Sequence, residues 1–178
     1  MITALWLFAA QGALGAFDTL WYHEWRARLP GGVPGTRPEL VLHGTRDLVY
    51  SVLFGSLPLM RWEGVAAYAL LALLGAEIAL TLWDFAIEDT VRRPLGGVAP
   101  GERVTHAIMG ILYGAALAHL VPEILDGATR ATAFVRWDAP SALRIVLPLM
   151  AVGVFVSGLR DLGAAYGPAW FRRPWARV

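Results

Sequence analysis

The chain has no cysteine, which excludes disulfides, thiolate metal sites, iron–sulfur clusters and thiol catalysis. It has no lysine either, because all 15 basic residues are arginine. Charged residues make up only 16% of the chain and histidines number 4, so each one that does occur can be located and weighed individually. No phosphate-binding Gly loop, dinucleotide fingerprint or nucleophile beside a general base is present. What the 178 residues hold in quantity is apolar surface: 57% are hydrophobic, 8 are Trp, and the mean hydropathy is +0.53. That lies outside the range of ordinary soluble domains and implies an integral membrane protein.

A bilayer core of about 30 Å asks for about 20 apolar residues per helix, and five such runs are expected near 3–24, 40–59, 63–87, 103–121 and 143–166. The first lacks a basic start and carries Asp18, His23 and Glu24 near its end, so it reads as a retained span, not a signal peptide. Residues 1–178 are expected to form one all-α transmembrane domain, ending in a basic tail at 167–178. Arg26, Arg28, Arg37, Arg92, Arg93, Arg103, Arg172, Arg173 and Arg177 fall on one side of the membrane, against Arg61, Arg130, Arg136 and Arg144 on the other. By the positive-inside rule, in a bacterial-type inner membrane the N-terminus is outside and the C-terminus cytoplasmic. A basic stretch beside a span marks topology and attracts anionic lipid, so the bilayer is the expected partner and nucleic acid is not.

The chain repeats itself. Glu39, His43 and Tyr50 in "RPELVLHGTRDLVY" recur 63 residues later as Glu102, His106 and Tyr113 in "GERVTHAIMGILYG". Glu24, Arg28 and Pro30 recur at an offset of 64 as Glu88, Arg92 and Pro94. Two helical hairpins, about 3–59 and 63–121, are therefore expected to build a four-helix bundle about an axis along the membrane normal, with "LPLMRWEG" as a tight turn between them. The helix at 143–166 has no counterpart and is expected to pack outside the four, with Arg160 and Asp161 near its cytoplasmic end. Pro and Gly precede both Glu39 and Glu102, a normal helix start, and a first-turn Glu is favoured by the helix dipole whether or not it binds anything.

With 7 Glu and 4 His in the chain, chance supplies roughly 0.2 Glu-x-x-x-His pairs, so two at symmetric positions point to a site. Residues i and i+4 share a helix face, and Glu24 and Glu88 end the partner helices at the same depth. The expected metal ligands are Glu24, Glu39, His43, Glu88, Glu102 and His106. Four buried carboxylates would repel at a cost of several kcal/mol each unless cations or arginines offset them. Oxygen-rich ligation with two imidazoles suits iron or manganese, with zinc able to take the same ligands.

This ligand pattern resembles that of ferritin-like di-iron carboxylate proteins, in which Glu residues and Glu-x-x-His motifs project into a helical bundle. The resemblance implies two metal ions, iron first, and O₂ or peroxide chemistry. The expected function is a membrane-embedded di-iron oxidoreductase acting on a hydrophobic, lipid-like substrate, served by an electron donor or a membrane partner subunit. Iron handling, a structural metal in a larger complex, and zinc-dependent lipid hydrolysis are the alternatives.

Other intramembrane polar groups have assigned places. Asp47 and Asp84 stand one turn deeper than His43 and Glu88 and are expected to support the ligands, with Arg46 and Arg160 as counter-charges. Glu77 lies deeper still, as a proton path, a cavity group or a hydrogen-bonded core residue. On an α-helix His23 points about 100° from Glu24, and Asp18 reads as one of several mutually neutralising charges, so neither is in the expected ligand set, while a part in the site for Asp18, His23 or Glu77 stays open. His119 is some 20 Å along its helix from His106 and cannot share the site. Tyr50 and Tyr113 face the site from two turns deeper and read as core packing, and Gly110 with Gly114 reads as a close helix contact.

Overall fold

The computed structural model describes residues 1–31, 35–168 and 171, and among these the chain is mostly helical. Helix α1 (Ile2–Asp18) runs without a break into a π-helical stretch, Thr19–Arg26. It is followed by α2 (Arg37–Ser56), α3 (Val65–Val91), α4 (Pro100–Ala128) and α5 (Ser141–Tyr166). Pro38 and Pro100 open α2 and α4, where a missing N–H costs nothing, and Glu102 closes the start of α4 by accepting the Ala99 N–H at 3.3 Å. Gly96 and Gly97, both at positive φ, turn the chain between α3 and α4.

Helices α3, α4 and α5 are long and apolar enough to cross a membrane. Their outward faces agree with that: Leu82, Ile111 and Leu149 are 62%, 73% and 67% exposed, which suits acyl chains and not water. Helix α2 falls outside that class because it carries Arg37, Glu39, Arg46 and Asp47. The expected basic tail, with Arg172, Arg173 and Arg177, lies almost wholly outside the described residues.

The segment expected to be a tight turn holds a strand instead. Strand β1 (Met60–Glu63) pairs antiparallel with β2 (Ala133–Arg136), Trp62 opposite Phe134 with ring centroids 5.1 Å apart. The reason is that α4 continues through Pro122 to Ala128, beyond its expected end, so the chain leaves it beside Trp62 and Glu63. The junction is closed by Gly64 N–H on the Gly127 carbonyl at 3.0 Å and by Arg130 on Glu63 at 2.8 Å. The amino terminus also lies at this end, paired with Glu123. An apolar core built on Leu5, Phe8, Phe54, Leu70, Leu120 and Leu147 fills this half of the molecule. Apart from Glu63, the buried charged residues lie away from the strands.

Helix α5 lies along α2 more extensively than any other two helices meet. Two glycines allow it: a Cβ on Gly44 would stand 2.9 Å from the Gly158 carbonyl oxygen, and one on Gly158 would stand 2.9 Å from that of Gly44. Gly44 follows His43 directly, so this crossing also fixes the height of the imidazole. Gly110 and Gly114 differ from expectation, having no neighbour within 4 Å of where a Cβ would sit. Gly158→Ala should therefore destabilise the protein by about 1–3 kcal/mol, as overpacked contacts do. Gly114→Ala should be neutral or slightly stabilising, through helix propensity. Unfolding in mixed micelles measures both, and equal effects would show that the α2–α5 crossing is not tight.

Candidate metal centre

At the end remote from the strands, Arg92 caps α3 and is 1% exposed. Its Nε lies 2.6 Å from Glu39 Oε1 and its Nη2 lies 3.0 Å from Glu102 Oε1. Both carboxylates stand in the first turns of their helices, one from each repeat. A single guanidinium thus holds α2, α3 and α4 at a common height.

Two buried groups of potential ligands surround this pair. Asp18, His23 and His106 form one, and Glu39, His43 and Asp84 the other, each offering three ligand atoms within 4.8 Å of one another. In the first, Asp18 Oδ2 is 3.2 Å from both His23 Nε2 and His106 Nε2. In the second, His43 Nε2 is 2.9 Å from Asp84 Oδ2 and 3.9 Å from Glu39 Oε1. The imidazoles of His23 and His43 stack with centroids 4.5 Å apart, so the groups are adjacent. Asp18 Oδ1, Glu39 Oε2, His43 Nδ1 and Asp84 Oδ1 are buried with no hydrogen-bond partner. Orphaned oxygen and nitrogen atoms of this kind are what a cation would satisfy, and the donor set fits one.

The six ligands expected from sequence are placed as follows. Glu39, His43 and His106 belong to the two groups. Glu102 borders the first, 3.4 Å from His23 Nε2, and Glu88 stands 3.5 Å from His106 Nδ1. Glu24 pairs with Arg160 of α5 and belongs to neither group. Asp84, expected to support a ligand, is itself a member, with Arg46 Nη1 3.4 Å from it. Asp47 lies on the α2–α5 side, against Gly158.

Asp18 and His23 are the residues that sequence reasoning left out. The cause is helical winding: Thr19–Arg26 is π-helical, so residues five apart share a face, and His23 comes round beneath Asp18 while Glu24 turns to α5. A signal for Asp18 existed in a third register. "AQGALGAFD", residues 10–18, aligns with "AEIALTLWD", residues 76–84, at an offset of 66, which pairs Asp18 with Asp84 and Gln11 with Glu77. From Asp18 to Glu24 the first repeat has two residues more than the second has from Asp84 to Glu88, and the π turns lie there. Seen through this register, the two groups share one exchange: the His43 of repeat one bonds the Asp84 of repeat two, and the His106 of repeat two bonds the Asp18 of repeat one, with His23 completing the first group where Glu39 completes the second.

Seven residues along each helix from Asp18, His43, Asp84 and His106, toward the strands, stand Gln11, Tyr50, Glu77 and Tyr113. Seven residues are two turns, about 10 Å. Between the two tiers opens a cavity of about 730 Å³, touched by Asp18 and His106 above and by all four residues of the lower tier. Gly110 and Gly114 line it, which is why no side chain meets them.

Arg92→Met should cost about 3–5 kcal/mol, because it strands two carboxylates in the interior. Adding Glu39→Gln and Glu102→Gln should recover more than half of that loss in the same unfolding titration. A single variant as stable as the wild type would show that these acids need no guanidinium. No protein-family model, no curated protein and no solved structure matches the chain, so its chemistry is read from these side chains alone.

Proposed function

We propose that this chain is an integral membrane metalloprotein, and that it acts as an oxidoreductase on a hydrophobic substrate drawn from the bilayer. In this reading all five helices cross the membrane, including α1 with its π-helical continuation to Arg26, and α2 with its polar start covered by α5. Arg26, Arg28, Arg37, Arg92, Arg93 and Arg103 gather at the end that holds the candidate centre, which supports a cytoplasmic position for that end by the positive-inside rule.

Two divalent cations would be held by Asp18, His23 and His106 and by Glu39, His43 and Asp84, with Glu88 and Glu102 at the flanks. Oxygen and imidazole donors without thiolate favour iron, then manganese or zinc. Bound iron would supply activation of O₂ or peroxide, the chemistry that side chains lack. The chain's own contribution is positional. Arg92 fixes the height of Glu39 and Glu102, the Asp partners orient the imidazoles of His43 and His106, and burial keeps bulk water from the centre.

The observation that carries the reading is the cavity, which is mostly apolar in its lining and ends on Asp18 and His106. Leu20, Leu82 and Val156 line it and are 54%, 62% and 50% exposed on the outside, so it communicates sideways with the acyl region. A centre with only a structural role has no need of such a chamber.

One observation favours a second reading, a metal-free charge network. Five carboxylates (Asp18, Glu39, Asp84, Glu88 and Glu102) face two guanidiniums (Arg46 and Arg92), which leaves three negative charges beside three imidazoles. Protonating His23, His43 and His106 would balance them without any cation. Metal analysis of the purified chain separates the two: the first reading expects about two irons per chain and a near-ultraviolet ferric band, as in di-iron carboxylate bundles. His106→Ala and His43→Ala should each lower the stoichiometry sharply. Metal-free protein that stays metal-free after incubation with Fe²⁺ under anaerobic conditions would sink the metal reading and leave the charge network.

A further inference from the structure

The lower tier is a hydrogen-bonded chain whose capacity is not used up. Gln11 Nε2 donates to the Tyr50 hydroxyl at 2.5 Å, and Tyr50 donates to Glu77 Oε1 at 2.8 Å. Thr81 Oγ1 donates to the same Glu77 oxygen at 2.8 Å, and the Tyr113 hydroxyl donates to the Leu74 carbonyl at 3.1 Å. Every hydroxyl proton in the tier is thus spent inside the protein. The Tyr50 proton goes to Glu77, which makes Tyr50 an acceptor toward Gln11 and fixes which end of the amide meets it. That leaves Gln11 Oε1, on a residue 7% exposed that lines the cavity, buried with no partner. A buried amide oxygen without a donor is destabilising, a penalty that a donor brought by a ligand would remove.

We infer that Gln11, with Tyr50, Glu77 and Tyr113, seats the hydroxyl of an apolar, single-chain ligand in this cavity. A hydroxyl matches because it can donate to Oε1 and accept from the second amide N–H, whereas an ether or an ester oxygen cannot donate. Phe54, Met109, Leu117 and Val154 supply the apolar wall around the rest of the molecule. The tiers are two helical turns apart, so a ligand anchored at Gln11 brings atoms about 10 Å from its hydroxyl to Asp18 and His106. The tier thereby acts as a ruler that selects which part of an apolar chain meets the upper cluster. This rests on the function proposed above only in taking that cluster as the reacting end.

The test uses the full chain in phosphatidylcholine nanodiscs, photolabelled with a dodecanol that carries a diazirine in its chain. Labelling should map to cavity-lining segments of α1 to α5. Unlabelled 1-dodecanol should compete at concentrations at least tenfold lower than dodecyl methyl ether, which has the same apolar chain and no donor. Gln11→Met keeps the bulk, removes the acceptor, and should bring the two competitors within twofold of each other. Because the wild-type comparison stands alone, a variant that fails to fold does not rescue the assignment. Equal competition by alcohol and ether in the wild type, or labelling confined to outward residues such as Val65 and Ile111, would overturn it. Repeating the competition after chelation and after Fe²⁺ loading keeps the two proposals apart. Preference intact in protein that never takes up metal sinks the metal reading alone, and lost preference with full metal content sinks only the hydroxyl assignment.

Discussion

One buried guanidinium sets the geometry on which the rest depends. Arg92, at the last turn of α3, bonds Glu39 and Glu102 in the first turns of α2 and α4, and this brings the starts of two helices from different repeats to one height. Once the heights are equal, helix periodicity does the remaining placement: His43 and His106 follow four residues on, and Tyr50 and Tyr113 a further seven. Buried ion pairs of this kind add little net stability over apolar packing, because desolvation offsets most of the Coulomb gain. What they do impose is register. A slip of one turn in either α2 or α4 would leave a carboxylate without its partner, which costs far more than a mispacked leucine.

Each half of the site is assembled from both hairpins. His43 finds its carboxylate on α3 and His106 finds its own on α1, so neither hairpin alone can complete a cluster. The same exchange recurs in the lower tier, where Tyr50 of the first repeat bonds Glu77 of the second. The folding of the two halves and the formation of the site are therefore one event. Helix α5 stands outside the repeat but not outside the problem, since its glycine crossing sets α2 against it and its Arg160 draws off Glu24.

How much of this could be read from the residues divides along physical lines. The five helices and the pairing of Glu39 with His43 were legible because they depend on α-helical spacing and on Pro-marked helix starts, which are local, whereas Glu102 turns to Arg92 and His23 and not to His106. The exchange of Glu24 for His23 was not, because it arises from π winding, and a wheel drawn at 3.6 residues per turn puts His23 on the wrong face. Asp18 was hidden by register: three different offsets relate the repeats, and alignment at 63 and 64 passes over the match at 66. The β1–β2 pair depends on where α4 ends, and Pro122 invites an earlier stop than the helix makes. The glycines Gly44 and Gly158 lie on helices with no common motif, so only the fold could bring them together, whereas Gly110 and Gly114 had the spacing of a contact and line a void instead.

The two clusters differ in composition, one Asp with two His against one Glu, one Asp and one His, and also in surroundings. Asp18 and His106 border the cavity, while Glu39, His43 and Asp84 do not, although Arg46, which stands against Asp84, lines it too. Helix α1 differs from α3 in its π turns and in having Gln11 where α3 has Glu77, and it is the α1 group that meets the chamber. If cations occupy both, the enclosed one has its ligands fixed by neighbours on every side and would serve chiefly to hold charge. On the reading proposed above, the group that borders the cavity is where a reacting atom would approach. On that reading the asymmetry, which coincides with the two extra residues between Asp18 and Glu24, would divide the charge cluster into a fixed half and a working half.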